Sequence, residues 1–175
     1  NTEHGIYLKG CTGLKVSENN VSKNQGQGLS LFAAHSNEFI ENSVVNHTKN
    51  YAINLKSSDS NLFENNTMEG NKFGIFVDQG DRNAIIGNTI QSQSSWGIKA
   101  ELCHKNDIKR NSILRNGYGI YLFESNYHNL SLNNVSFNSK HGIYLDNCHN
   151  NTVFKNEISE NSFNGLYLFF SDGNT

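Results

Sequence analysis

Gly142-Ile143-Tyr144-Leu145, followed by Asn151, Val153, Asn156 and Ile158, is the stretch that decides the fold. Ile143 and Leu145 are apolar while Tyr144 between them is amphipathic, the alternation of a strand with one buried face. The same opener recurs as Gly5-Ile6-Tyr7-Leu8, Gly28-Leu29-Ser30-Leu31, Ala52-Ile53-Asn54-Leu55 and Gly74-Ile75-Phe76-Val77. It continues as Gly97-Ile98-Lys99-Ala100, Gly119-Ile120-Tyr121-Leu122 and Gly165-Leu166-Tyr167-Leu168. The spacings are 23, 24, 22, 23, 22, 23 and 23 residues, and a fixed period of this length marks a solenoid.

Aligned on the opener, each repeat carries two further strands. One centres on Val16, Phe39, Phe63, Ile85, Ile108, Leu130 and Val153, the other on Val21, Val44, Met68, Ile90, Ile113, Val135 and Ile158. Between them an asparagine recurs in every complete repeat: Asn19, Asn42, Asn66, Asn88, Asn111, Asn133 and Asn156. A second asparagine precedes the middle strand at Asn37, Asn61, Asn83, Asn106, Asn151 and Asn174. The pattern predicts an all-β, right-handed parallel β-helix of about eight coils, 22–24 residues each, with three short strands per coil. At roughly 4.8 Å per coil the rod would be about 35 Å long. Asparagine tolerates turn geometry, and stacked amides can bond from coil to coil. The asparagine columns are therefore read as scaffold. A leucine-rich repeat, whose period overlaps, would need a Leu-x-x-Leu-x-Leu frame that the Ile-x-Leu openers lack.

Composition agrees. The chain has 30 asparagines, 15 glycines and no proline, with 17% charged residues, and a mean hydropathy of -0.59. Disordered chains are rich in charge and proline, and this one is neither. Its net charge of -2 gives no footprint for nucleic acid, and no apolar run reaches membrane-spanning length. The expectation is a single β-helix domain over residues 1-175, a fragment or module of a longer chain. Neither end carries a cap, and open β edges invite pairing, so self-association through the ends is a second expectation.

The Gly-Ile-x-Leu opener followed by Asn-x-x-Ile-x-x-Asn-x-Ile resembles the right-handed β-helix repeats of NosD-like proteins. Those sit within the pectin-lyase-like group of carbohydrate-binding proteins and sugar hydrolases. The asparagine-rich texture is also similar to surface proteins of methanogenic archaea, polysaccharide-degrading disaggregatases among them. The resemblance covers nearly the whole chain and implies the fold. It carries over no catalytic residue, because the repeat residues build the scaffold.

Cys11, Cys103 and Cys148 share one column with Ala34, Ser58, Gly80, Ser125 and Ser171, a corner for small inward residues. The first two lie four coils apart and the last two lie two coils apart. A disulfide needs Cα atoms within about 7 Å, so three free, mostly buried thiols are expected. The next column, Thr12, His35, Asp59, Asp81, His104, Asn126, His149 and Asp172, is expected to be exposed. Asp59, Asp81 and His104 would converge poorly on a metal, and solvated turn residues are the preferred reading. No metal or other cofactor is assigned.

Function must lie on the outward positions of the first strand. One column reads Tyr7, Ser30, Asn54, Phe76, Lys99, Tyr121, Tyr144 and Tyr167; the next reads Lys9, Phe32, Lys56, Asp78, Glu101, Phe123, Asp146 and Phe169. Tyr121, Tyr144 and Tyr167 with Phe123 and Phe169 would form an exposed aromatic strip, the kind of area that marks a binding surface. Stacked carboxylates Asp78 and Glu101 could divide acid and base roles as in glycosidases. Lys99, Arg82 or His104 could serve lyase or epimerase chemistry on a uronate. Lys56 and Asp81 complete the candidate substrate contacts. Against this stands a salt-bridge ladder, Lys56–Asp78 and Lys99–Glu101, on a solvated sheet.

The leading expectation is an extracellular or cell-surface module that binds or processes polysaccharide along this face; if it is an enzyme, it is a glycosidase or lyase. A structural sheath or filament element is the alternative. NosD-like copper delivery is the third, with Met68 at a core position and the histidines scattered. Six Asn-x-Ser/Thr sequons, at Asn20, Asn46, Asn65, Asn129, Asn134 and Asn150, fit a secreted chain.

Overall fold

The computed structural model describes residues 1–175, which form 22 strands and no helix. The first strands of successive coils pair in parallel into an eight-stranded sheet, and the second and third strands into two seven-stranded sheets. The chain is a right-handed parallel β-helix. Register follows the repeat: Ile143 pairs with Ile120 on one side and Leu166 on the other, Ile85 with Phe63 and Ile108, and Ile90 with Met68 and Ile113.

The core is narrow. Twenty-eight buried residues form one continuous cluster, with Phe39, Phe63, Leu55, Met68 and Ile98 all at 0% exposure. The small-residue column faces inward as expected: Ala34, Ser58, Cys103, Ser125 and Cys148 are fully buried. All three cysteines are free, with Cys11 half-buried. The opener glycines have a steric reason, since a Cβ on Gly142 would lie 2.6 Å from the carbonyl oxygen of Gly165 in the next coil. In the last coil the same apolar columns are exposed, Leu166 at 43% and Leu168 at 45%.

Corners are where a β-helix must satisfy backbone groups that no ladder reaches. The inner asparagines between the second and third strands, Asn42 to Asn133, are amides with at least four hydrogen bonds each. Asn66 Oδ1 accepts from the backbone N–H and side-chain amide of Asn42 at 2.9 and 3.0 Å. Its Nδ2 donates to Phe39 O and Asn88 Oδ1 at 2.8 and 3.0 Å. The column before the second strand works the same way, and its missing rung is filled by His128. That ring accepts the Asn106 N–H at Nδ1, 3.0 Å, and meets Cys103 O through Nε2 at 3.1 Å.

A third ladder escaped the sequence reading. Asn24, His47, Asn71, Gln93, Asn116, Asn138 and Asn161 line the corner between the third and first strands, bonded backbone N–H to side-chain oxygen from His47 to Asn161 at 2.9–3.0 Å. Its spacings of 23, 24, 22, 23, 22 and 23 residues match the openers. Only the change of residue type at His47 and Gln93 hid it.

The column from His35 to His149 also corrects an expectation. It is half-buried and forms a fourth ladder of opposite sense, in which the next coil's N–H donates back to the side chain. Asp81 N–H donates to Asp59 Oδ1 at 2.8 Å, His104 N–H to Asp81 Oδ1 at 2.7 Å, and Asn126 N–H to His104 Nδ1 at 3.3 Å. These are structural acceptors rather than solvated turn residues. Six of the seven histidines, His4, His35, His104, His128, His141 and His149, accept a backbone N–H at Nδ1.

Asn66→Ala removes a buried amide and strands its partners, so unfolding stability should drop by about 1–3 kcal/mol, whereas exposed Asn19→Ala should cost far less; urea titration measures both. Acid should loosen the rod. Burial pushes His128 down from 6.5 to about 4, so the unfolded chain takes up the proton first. Its contribution is complete above pH 6.5 and is lost as the pH falls towards 4, by up to roughly 3 kcal/mol. His128→Asn, which restores the amide of the column, should flatten that part of the stability–pH curve.

Candidate functional site

Three outward columns of the first sheet make one face. Residues ahead of the opener glycine form an aromatic column that the sequence reading passed over: Tyr51, Phe73, Trp96, Tyr118 and His141. Tyr51 stacks on Phe73 at 4.6 Å and Phe73 on Trp96 at 4.7 Å. Two residues past the glycine runs the expected tyrosine strip, Tyr121 on Tyr144 at 4.9 Å and Tyr144 on Tyr167 at 5.0 Å. Strand register imposes this, since neighbouring coils bring identical columns into direct opposition. The ring planes are turned onto one another, so inner rings present edges and hydroxyl groups to solvent while their faces are occupied.

Lys99 sits in the tyrosine column between Phe76 and Tyr121. Its ammonium lies 5.2 Å from the Phe76 ring, 4.9 Å from Trp96 and 5.7 Å from Tyr121, within cation–π range of all three. It also pairs with Glu101, and its side chain is only 16% exposed. Asp78 stands in direct register with Glu101 and pairs with Lys56 at 3.5 Å. Thus Asp78, Glu101, Lys99 and Lys56 are brought together, each carboxylate with its own lysine. Both members of the salt-bridge ladder weighed from the sequence are present.

Arg82, Asp81 and His104 stand apart from that cluster, at the corner beyond the strand ends. Arg82 is on a left-handed turn residue with φ 55° and reaches Asp59 at 3.9 Å. Asp81 and His104 are tied into the reverse ladder through one acceptor atom each.

Towards the later coils the face changes character. Asp146 Oδ2 accepts hydrogen bonds from both Tyr121 and Tyr144, each at 3.2 Å. Burial, then the Asp146 charge, pushes the Tyr144 phenol up to about 12 and raises Tyr121 still further. Both hydroxyls stay protonated donors at neutral pH. Phe123 and Phe169 flank Asp146 in register. Asp146 and His141 belong to this group but were not singled out from sequence; the signal was an acidic residue interrupting phenylalanines in its column. Spectrophotometric titration should find a fraction of the tyrosines ionising well above pH 10, and Asp146→Asn should bring the Tyr121 and Tyr144 part of that fraction down; an unchanged curve would contradict the cluster.

Comparison with curated protein sequences gives no match. Among solved structures the fold superposes on a variant of the periplasmic alginate epimerase AlgG with a TM-score of 0.92 at 20% identity, covering 98% of this chain and 46% of that one. The Azotobacter vinelandii mannuronan C-5 epimerase AlgE4 A-module gives 0.87 at 13% identity, covering 99% and 54%. The chain thus spans about half the length of these structures, and at such identity the likeness is one of fold. Residues 1–61 match the model described as periplasmic copper-binding protein (NosD). Residues 32–175 match the model of the right-handed beta helix region. With four-fifths of its length under that one model and every coil in its register, the chain belongs to the right-handed beta helix family.

Proposed function

We propose that the chain is a module that binds a linear polysaccharide along its first-strand face, outside the cell or in the periplasm. The observation that carries this is the face itself: hydroxyl, carboxylate and ammonium groups set between aromatic edges and repeated from coil to coil. Such a strip matches a polymer whose units also repeat along a line. Sugars are recognised by a few placed polar groups beside apolar surface, and Tyr121, Tyr144, Tyr167, Phe123, Phe169 and Lys56 supply that mixture. The names of the alginate and mannuronan epimerases on the same fold support a carbohydrate partner, and both AlgG and NosD are described as periplasmic. No helix is long and apolar enough to cross a membrane.

Chemistry, where it accompanies binding, belongs to the ionic centre of the face. Asp78 and Glu101 are the proton-transfer pair, as in a glycosidase or lyase, with Lys99 beside them to hold an anionic sugar group. His104, Arg82 and Asp81 would act only on a substrate that reaches the corner. The alternative reading is a structural rod that assembles with other copies of itself.

Affinity electrophoresis on a panel of neutral and acidic polysaccharides, with viscosity as the second readout, tests the proposal. The wild-type chain should be retarded by at least one polymer, and replacing Tyr121, Tyr144 and Tyr167 together by alanine should weaken binding roughly tenfold or more. Falling viscosity that D78N with E101Q abolishes assigns the reaction to that pair. Filaments in electron micrographs with no retardation by any polymer would overturn the reading in favour of assembly.

A further inference from the structure

We infer that Asp146 anchors a hydroxyl-recognition subsite, taking two adjacent hydroxyls of a pyranosyl unit whose C–H face rests on Phe123; this builds on the polysaccharide-binding reading of the same face. The other acidic residues of the column are neutralised by lysine, Asp78 by Lys56 at 3.5 Å and Glu101 by Lys99. Asp146 has no ion pair at all, since the five in the chain involve other residues. Its Oδ2 is held by two neutral phenols at 3.2 Å, and no protein donor reaches its Oδ1. A carboxylate flanked by Phe123 and Phe169, with one oxygen fixed and the other open, offers acceptor capacity without a cation. That combination suits hydroxyl donors. An anionic group placed there would meet the Asp146 charge with nothing to offset it.

The neighbours complete the subsite. Apart from Phe32, which lies beneath the Lys9 ammonium, the rings of the face other than Phe123 pair with a neighbouring ring, and Phe169 itself contacts Tyr167 and Phe170 at 6.3 and 4.3 Å. Phe123 enters no ring pair, because the Asp146 rung separates it from Phe169, so its ring is left for a ligand. His141 packs on Tyr144 and Tyr167 at 5.5 and 4.9 Å. Its Nδ1 is occupied by the Asn164 N–H, which puts the ring proton on Nε2 as a donor for a sugar oxygen. Charge recognition and hydroxyl recognition are thereby separated along the rod: Lys99 lies two coils before Tyr144 and Asp146, with Tyr121 between.

The test uses the full chain and a neutral, hydroxyl-rich polysaccharide beside its O-methylated form and an acidic polysaccharide, read by affinity electrophoresis. Asp146→Asn and Phe123→Ala should each weaken binding of the neutral polymer about tenfold or more, with the urea midpoint and far-UV spectrum close to wild type. O-methylation should abolish binding, and Lys99→Met should affect only the acidic polymer. Wild-type binding that D146N leaves unchanged, or equal binding of the O-methylated polymer, overturns the subsite and leaves the broader reading standing. A wild-type chain that binds none of the polymers overturns both. Should D146N shift the urea midpoint, Phe123→Ala, which leaves the hydrogen bonds to Asp146 in place, decides: binding of the neutral polymer must weaken at an unchanged midpoint for the subsite to stand.

Discussion

A rod wound from 22–24-residue coils has a corner every few residues, and each corner turns backbone N–H and C=O groups inward where water cannot follow. The structure depends on satisfying them. Buried side-chain amides do so by spanning two coils at once: the oxygen takes the N–H of the coil before, while the nitrogen returns a bond to a carbonyl of that same coil. An unpaired buried amide would cost more than a bonded one contributes, so the columns tolerate few residue types. Where they change, the replacement copies the bonding. His47 holds a proton towards Asn71 Oδ1 and accepts from Asn24, whereas His128 accepts at Nδ1 and faces a carbonyl through Nε2. Two histidines in opposite tautomers thus stand in for the same amide.

This division of labour explains why so polar a chain has so small a core and still folds as one unit. Two inward columns from the first strand, one each from the second and third, and the small-residue corner fill the interior, and the ladders close the corners, which leaves the outward columns free to vary. Only on the first sheet do the strands lengthen to six residues, at Tyr51–Lys56, Phe73–Asp78, Trp96–Glu101 and Tyr118–Phe123. There the extra residue ahead of the glycine brings Tyr51, Phe73, Trp96 and Tyr118 onto the face. The richest side-chain chemistry therefore sits on the sheet with the longest strands.

Fold was legible because period-two alternation and a 23-residue recurrence are written in residue type. The Gly-Ile-Tyr-Leu openers, the Asn19-to-Asn156 column and the small-residue corner around Cys103 all follow from it. Function was less legible, for physical reasons. Asp59, Asp81 and His104 read as solvated because acidic and imidazole groups usually are; their role as backbone acceptors depends on a half-turn geometry that spacing does not reveal. The third ladder was masked by His47 and Gln93. Asp146 looked like one more surface carboxylate, and only the missing lysine and the two phenols that point at it set it apart from Asp78 and Glu101.

Native-state hydrogen exchange resolved to single amides tests the dependence on the corner ladders most directly. The backbone N–H groups of Asn42, Asn66, Asn88 and Asn111 should exchange as slowly as those at the strand centres Phe63 and Ile85, through the same global opening. Fast exchange at these corners, with protection confined to the strands, would contradict the account.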